Sequence, residues 1–135
     1  ILLKIQRDLY TVSSELAVDS KKYDSFTKDF VTIDEKNITN IEDWIDELDE
    51  LISIPPKFII PGDSLISSTL DLARSSIRTA ERRIVDVQSK GKLNNQKLLV
   101  FVNRISDLLF MLGRYEDSEI SPTLVLNTKR NETHD

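Results

Sequence analysis

Arginines follow one another along one stretch of this chain at the spacing expected of phosphate-binding groups. Within Leu72–Ile84, Arg74 and Arg78 are four residues apart, and Glu81 and Arg82 come one turn later. At about 100° per residue in an α-helix, these side chains form one stripe. Because a guanidinium presents a planar fork of donors, the stripe could bracket a polyphosphate. The alternative is a solvated charged face, with Arg78 and Glu81 as its favourable pair.

Bulk composition is typical of a globular protein. The chain has 135 residues, 39% of them hydrophobic and 30% charged, so we predict a single domain over 1–135. The net charge of −5 argues against nucleic acid as a partner, because that binding needs a basic footprint. A small polyanion fits the local arginines better. The polar sequence after Pro122 predicts a flexible tail within 117–135.

Missing residue types exclude several kinds of chemistry. The chain has no cysteine and one histidine, His134, which excludes thiolate nucleophiles, a Ser-His-Asp triad and the Glu-x-x-His di-iron pattern. We predict no set of metal-ligating side chains. No apolar run approaches the roughly 18 residues that span a bilayer, and no signal peptide is visible. We therefore expect a cytoplasmic protein that uses no membrane.

Apolar periodicity predicts an all-α protein, an antiparallel bundle of four helices without strands. The first helix covers 1–18 and is followed by a long connection over 19–36. The second begins at Asn37 or Thr39, with Thr39 and Glu42 as a capping box, and ends before a Pro-Pro pair. The apolar faces of these two helices comprise Leu2, Ile5, Leu9, Val12 and Leu16, and Ile41, Trp44, Ile45, Leu48, Leu51 and Ile52.

The third helix is predicted over 64–90, capped by Asp63 or Ser64 and ended by Gly91. Its buried side should hold Leu70, Ile77, Ile84 and Val85.

The last helix, which starts at Asn94 or Asn95, is apolar on most sides and should be central. Its polar residues Asn103, Asp107 and Arg114 share a face, so they must be hydrogen-bonded or line a site.

An apolar loop, Lys57–Ser64, connects the second and third helices. Its three consecutive large residues, Phe58, Ile59 and Ile60, either plug the end of the bundle or wall an apolar ligand site.

Three ordered motifs together resemble the PduO-type ATP:cob(I)alamin adenosyltransferases. They are Lys57–Gly62, Ala73–Arg82 and Phe101–Phe110, the last followed by Arg114-Tyr115. The helix predicted over 1–18 of this chain also fits, so the resemblance covers residues 1 to about 116.

The resemblance implies a five-helix bundle that forms a homotrimer with active sites between subunits. It implies a transferase that moves the 5′-deoxyadenosyl group of ATP to the cobalt of cob(I)alamin, with Mg²⁺, giving adenosylcobalamin and triphosphate. A cobalamin reductase is a further expected partner. Since Co(I) is itself the nucleophile, the protein must orient ATP and stabilise the leaving group, which needs neither histidine nor cysteine.

Residue roles follow from the same resemblance. Arg78 would contact the triphosphate, Glu81 and Asn103 would hold ATP or its metal, and Arg74 would pair with an acidic residue across the subunit interface. Phe58 would occupy the lower face of the corrin and displace its dimethylbenzimidazole ligand. Arg82, with Arg104 and Asp107, would form supporting salt bridges.

The sequence departs from the family pattern at several points. Thr79 stands where a second consecutive arginine is usual, and Asp63 replaces the second glycine of Pro-Gly-Gly, which adds a negative charge near the site. The family's N-terminal phosphate loop and first helix are not in the sequence. If the chain, which begins at Ile1, is truncated, they lie upstream; if it is complete, we expect no productive ATP binding. The alternative function is then a non-catalytic bundle that binds a nucleotide or a protein partner.

Overall fold

A computed structural model of the chain describes residues 1–124, and they form an all-α bundle as predicted. The helices are α1 (Leu2–Ala17), α2 (Tyr23–Asp29), α3 (Glu35–Leu51), α4 (Leu65–Ser89) and α5 (Lys97–Glu116). Extended backbone pairs only at an isolated antiparallel bridge between Ile59 and Leu124 in this part of the chain. None of the helices in residues 1–124 is both long and apolar enough to cross a bilayer.

Helix α5 is central, as its apolar sequence predicts. Phe101, Ile105 and Leu108 are fully buried, and α5 packs against both α3 and α4. A helix that is apolar on most sides must be covered on most sides. The site residues of α5 are therefore held on a rigid, buried element.

The predicted apolar faces are right at their centres and wrong at their edges. Ile5, Val12, Ile41, Leu48, Leu70 and Ile84 are buried, whereas Leu2, Leu16, Leu51 and Val85 are exposed. Periodicity gives the direction of the buried stripe, but neighbouring helices decide its width.

The connection over 19–36 is partly helical, which corrects the loop prediction. A 3₁₀ turn at Ser20–Lys22, capped by the Asp19 side chain, leads into α2. The rings of Tyr23, Phe26 and Phe30 stack in sequence, with centroids 6.2 Å and 4.9 Å apart. Their spacing of three and four residues is a helical signal that sequence reasoning missed.

Helix boundaries differ from prediction at two starts. The capping box of α3 joins Asp34 and Asn37, not Thr39 and Glu42. The last helix begins at Lys97, with Gln96 rather than Asn94 or Asn95 at the cap position, although the Asn95 side-chain oxygen accepts from the Lys97 backbone N–H at 3.1 Å. Two other boundaries are confirmed.

The confirmed boundaries are both those of α4. Ser64 caps its start, and it ends before Gly91, which has a positive φ of 66°.

A buried carboxylate joins the N-terminal part of the chain to the segment just before α5. Glu15 is 2% exposed and accepts hydrogen bonds from the Tyr23 hydroxyl at 2.6 Å, the Ile33 backbone N–H at 2.5 Å and the Asn95 amide at 2.9 Å. A buried charge needs such partners. The sequence suggested only that the neighbouring Leu16 would be buried, so Glu15 was not foreseen.

Replacing Glu15 with glutamine should lower the free energy of unfolding by about 3 kcal/mol, because an amide NH₂ group then faces donors and leaves buried groups unpaired. Urea denaturation would measure the change, with Glu50→Gln on the exposed face of α3 as the matched control. A loss no larger than that of the control would contradict the structural role of Glu15.

Stability should also fall at high pH because of Tyr23. Burial, followed by the hydrogen bond to Glu15 and that carboxylate's charge, raises the pKa of Tyr23 far above its ordinary value of 10.0. The folded state therefore keeps this proton better than the unfolded state, and the resulting stability, complete below about pH 10, is lost as pH rises. As pH rises from about 9 to 12, the urea midpoint of the wild type should fall towards that of Tyr23→Phe. Parallel curves would contradict this assignment.

Residues beyond α5 return to the Lys57–Ser64 loop, which we call the Phe58 loop. Ile60 N–H donates to the Thr123 carbonyl at 2.7 Å, and the Asp63 carboxylate accepts from Thr123. The predicted flexible tail over 117–135 thus includes a hydrogen-bonded part in 117–124. His134 and the rest of the tail lie outside the described residues.

Candidate active site

Three predicted site residues from two helices meet in one hydrogen-bonded cluster. On α4, the Arg78 guanidinium contacts the Glu81 carboxylate at 2.6 Å. The other oxygen of Glu81 accepts from the Asn103 amide of α5 at 2.8 Å. Glu81 is thereby fixed in orientation, while the Arg78 side chain remains 44% exposed. The cluster presents a positioned cationic fork to solvent.

Arg82 lies one turn further along α4, does not join this cluster and, within residues 1–124, does not form the supporting salt bridge that was expected of it. Its guanidinium donates to the Thr79 hydroxyl at 2.9 Å. Arg78, Glu81 and Arg82 nevertheless line the same open groove, which has a volume of about 690 Å³. Thr79, a departure noted in the sequence, is therefore a hydrogen-bond partner of Arg82.

Arg74 does not line the groove that Arg78 lines. It lies instead in the walls of two other grooves. Its guanidinium carbon lies 5.4 Å from the centre of the Phe110 ring, a cation–π contact. Its Nε is buried without a hydrogen-bond partner among residues 1–124. The stripe predicted from the sequence therefore divides into the Arg78 cluster and a separate cation at Arg74.

The first groove beside Arg74, about 570 Å³ in volume, has a charged rim. Arg104 contacts Glu42 of α3 at 3.1 Å and Asp107 at 3.2 Å. These two hydrogen bonds raise the pKa of Arg104 above its ordinary value. The salt bridges expected of Arg104 and Asp107 are therefore present, and Glu42, predicted to be part of a capping box, is instead an ion-pair partner.

The second groove, about 380 Å³ in volume, lies between the Lys57–Ser64 loop and α4. Ile59, Pro61 and Gly62 line it, facing Asp71 and Arg74. Gly62 has a φ of 110°, a conformation that favours glycine. The loop projects Phe58 into solvent with 84% of the residue exposed.

Phe58 therefore does not plug the bundle, which was the first of the two interpretations of this loop. The ring is therefore free to contact a molecule outside residues 1–124.

A buried ion pair below the second groove was only half foreseen. Arg114, predicted to be hydrogen-bonded or to face a site, contacts Asp71 at 2.9 Å with its side chain 6% exposed. The same guanidinium lies 5.6 Å from the centre of the Phe110 ring. Asp71 is on α4, and its role could have been suspected from its position seven residues before Arg78 on the same helix.

Comparisons with known proteins identify the family of the chain. A sequence model of the cobalamin adenosyltransferase family matches residues 1–116. The chain is 35% identical over 114 residues to the human corrinoid adenosyltransferase MMAB, covering 84% of this chain and 45% of that protein. It is 35% identical over 119 residues to the corrinoid adenosyltransferase PduO of Salmonella typhimurium, covering 88% of this chain and 34% of that protein. The chain thus spans less than half the length of either relative.

Solved structures agree with the sequence comparisons. A variant of the PduO-type ATP:corrinoid adenosyltransferase from Lactobacillus reuteri, complexed with cobalamin and ATP, superposes with a TM-score of 0.82 at 30% identity, covering 93% of this chain and 68% of that one. Another variant of that enzyme, complexed with ATP, gives a TM-score of 0.80, also at 30% identity, over 93% of this chain and 69% of that one. Both the sequence and the fold therefore show that the chain belongs to the cobalamin adenosyltransferase family.

Proposed function

We propose that this chain carries out the family reaction, the transfer of the 5′-deoxyadenosyl group of ATP to the cobalt of cob(I)alamin. The observation that carries the proposal is the cluster of Arg78, Glu81 and Asn103, which joins two helices beside an open groove. It lies within the residues that match the family. The relatives' names and the complexes with cobalamin and ATP support the same two substrates.

In this proposal Arg78 binds the triphosphate of ATP. Its exposed guanidinium supplies paired donors, and its contact with Glu81 fixes their direction before substrate arrives. Asn103 orients Glu81 in turn. Arg82, on the same groove, adds positive charge near the phosphate tail.

The reaction asks the protein for position and charge more than for proton transfer. The Co(I) electron pair forms a Co–C bond to C5′ as the C5′–O bond to the triphosphate breaks, and the bond electrons leave with the triphosphate. Negative charge therefore develops on the leaving oxygen. A pre-oriented guanidinium stabilises such charge without reorganising, which is the role we assign to Arg78.

Mg²⁺ is proposed as the accompanying metal. Residues 1–124 contain no cluster of three or more potential ligating side chains, which suits an ion held mainly by phosphate oxygens and one or two carboxylates. Glu81 is the side chain that would contribute, and the ion would neutralise phosphate charge.

Phe58 is proposed to contact the lower face of the corrin. An apolar ring there would replace the dimethylbenzimidazole nitrogen and leave the cobalt without that axial donor. Removing an axial donor makes Co(II) easier to reduce. The 84% exposure of Phe58 suits a residue that is covered only when the corrin binds.

We further propose a homotrimer in which neighbouring subunits complete each site. Arg74, whose side chain lies in the walls of two open grooves, would pair with a carboxylate of the adjacent subunit. Exposed apolar residues on α4, Leu65, Ile66 and Leu72, supply surface for such an interface. The expected setting is cytoplasmic, with a cobalamin reductase delivering Co(I).

Adenosylcobalamin formation tests the function directly. ATP and chemically reduced cobalamin would be mixed with protein expressed from the full gene and, separately, with these 135 residues, and the cobalamin absorbance followed. Product with the longer protein supports the activity; product with both shows that these residues suffice. No product and no spectral change of cobalamin with either would favour the non-catalytic bundle instead.

A further inference from the structure

The segment after α5 is fastened to the Phe58 loop by the side chain of Asp63. One oxygen of its carboxylate accepts from the Thr123 hydroxyl at 2.8 Å, and the other accepts from the Thr123 backbone N–H at 3.2 Å. A carboxylate holding both donors of one residue fixes its orientation as well as its position. The negative charge of Asp63 is therefore directed at Thr123.

Backbone contacts continue this attachment along the loop. Ile60 N–H donates to the Thr123 carbonyl at 2.7 Å, and Ile59 forms an antiparallel bridge with Leu124. Both loop residues directly follow Phe58. The short pairing thus begins next to the exposed ring and ends at Asp63.

The other end of the segment is anchored in the bundle. Asp117 is 6% exposed, and its backbone N–H donates to the Gly113 carbonyl at 3.3 Å. Arg114, which pairs with Asp71 of α4, lies 3.9 Å from the Asp117 carboxylate. The segment between Asp117 and Leu124 therefore connects the core of the bundle to the loop.

We propose that Asp63 is a positioning residue that holds the Phe58 loop in place through Thr123. The loop forms one wall of the second groove, opposite α4 and Arg74. Fastening it to a segment anchored in the bundle sets the width of that groove and the direction in which Phe58 points. This inference rests on the proposed function, because Phe58 matters to the reaction only if the corrin binds there.

The first arm of the test uses the complete chain without any ligand. Amide hydrogen exchange of Ile60 would be measured in wild type, Asp63→Ala and Thr123→Val. Exchange should accelerate about tenfold in Asp63→Ala and less in Thr123→Val, which keeps its backbone N–H. The double variant should exchange no faster than Asp63→Ala, because the two side chains share one interaction. Thr123→Ser, which retains both donors, should behave as wild type.

The second arm adds cob(II)alamin and ATP, and the turnover measurements also contain a chemical reductant in excess that supplies the one electron needed to form cob(I)alamin. In Asp63→Ala the KM for the corrinoid should rise about tenfold, with the KM for ATP unchanged, and the absorbance change that reports loss of the axial nitrogen should shrink. Matched controls are Asp29→Ala and Thr27→Val, exposed residues of α2. They should leave both readouts at the wild-type value.

The outcomes separate the inference from the proposed function. Unchanged Ile60 exchange in Asp63→Ala overturns the attachment. Faster exchange with an unchanged corrinoid KM and spectrum overturns the positioning role. A wild-type protein that never alters the cobalamin spectrum refutes the proposed function and the positioning role with it, whereas the exchange data still decide the attachment.

Discussion

Arg78→Ala should lower kcat/KM for ATP by about 10²–10³-fold, the usual loss when one pre-oriented donor to a developing negative charge is removed. Its effect on folding should be small. The Arg78 side chain is 44% exposed, and ion pairs of that kind contribute at most about 1 kcal/mol to stability. Adenosylcobalamin formation at varied ATP concentration, together with urea denaturation, measures the two effects separately.

Arg78→Lys refines this prediction, because it keeps the charge and loses the fork. It should fall between wild type and alanine if paired donors to phosphate matter. Arg7→Ala, at an exposed arginine of α1, is the matched control and should retain full activity. The opposite pattern for Arg78→Ala, a large loss of stability with normal turnover in the folded fraction, would make Arg78 a structural residue.

Phe58→Ala should impair the reaction from cob(II)alamin more than the reaction from chemically prepared cob(I)alamin, by about tenfold or more. The ring is proposed to displace the axial nitrogen, and each tenfold change in a one-electron equilibrium corresponds to about 59 mV in potential. Product formation from the two oxidation states, with the same reductant in excess for Co(II), gives the ratio. Since Phe58 is 84% exposed, its loss should leave the free energy of unfolding nearly unchanged.

Phe30→Ala is the matched control for this experiment. Phe30 is also an exposed phenylalanine, 61% accessible, but it lies at the end of α2 and stacks on Phe26. It should not affect the ratio of the two rates. Equal losses from Co(II) and Co(I) in Phe58→Ala would contradict the axial role, and would indicate that the ring contributes only to corrinoid binding.

Local sequence determined much of the helical architecture and one pair in the site. Arg78 and Glu81 are three residues apart on one helix, so their contact follows from helix geometry alone. The central position of α5 followed equally from the density of apolar residues in its sequence. Ser64 and Gly91 mark the ends of α4 because cap and stop signals act within a few residues.

The resemblance to the family motifs, rather than periodicity, predicted that Asn103 acts together with this pair. The structure shows that contact, a hydrogen bond across two helices. A pattern in one helix cannot specify which residue of another helix will face it.

Only the tertiary structure decided the contacts between distant parts of the chain. Glu15 is polar in sequence yet buried, because three donors from separate segments converge on it. From the sequence, Asp63 could be interpreted only as a helix cap or as an added charge, whereas in the structure its carboxylate holds Thr123, 60 residues later. Local sequence thus fixed the helices and their polar stripes, because those depend on backbone geometry over a few residues. Packing fixed which polar groups meet, because hydrogen-bond partners far apart in sequence are chosen by the fold as a whole.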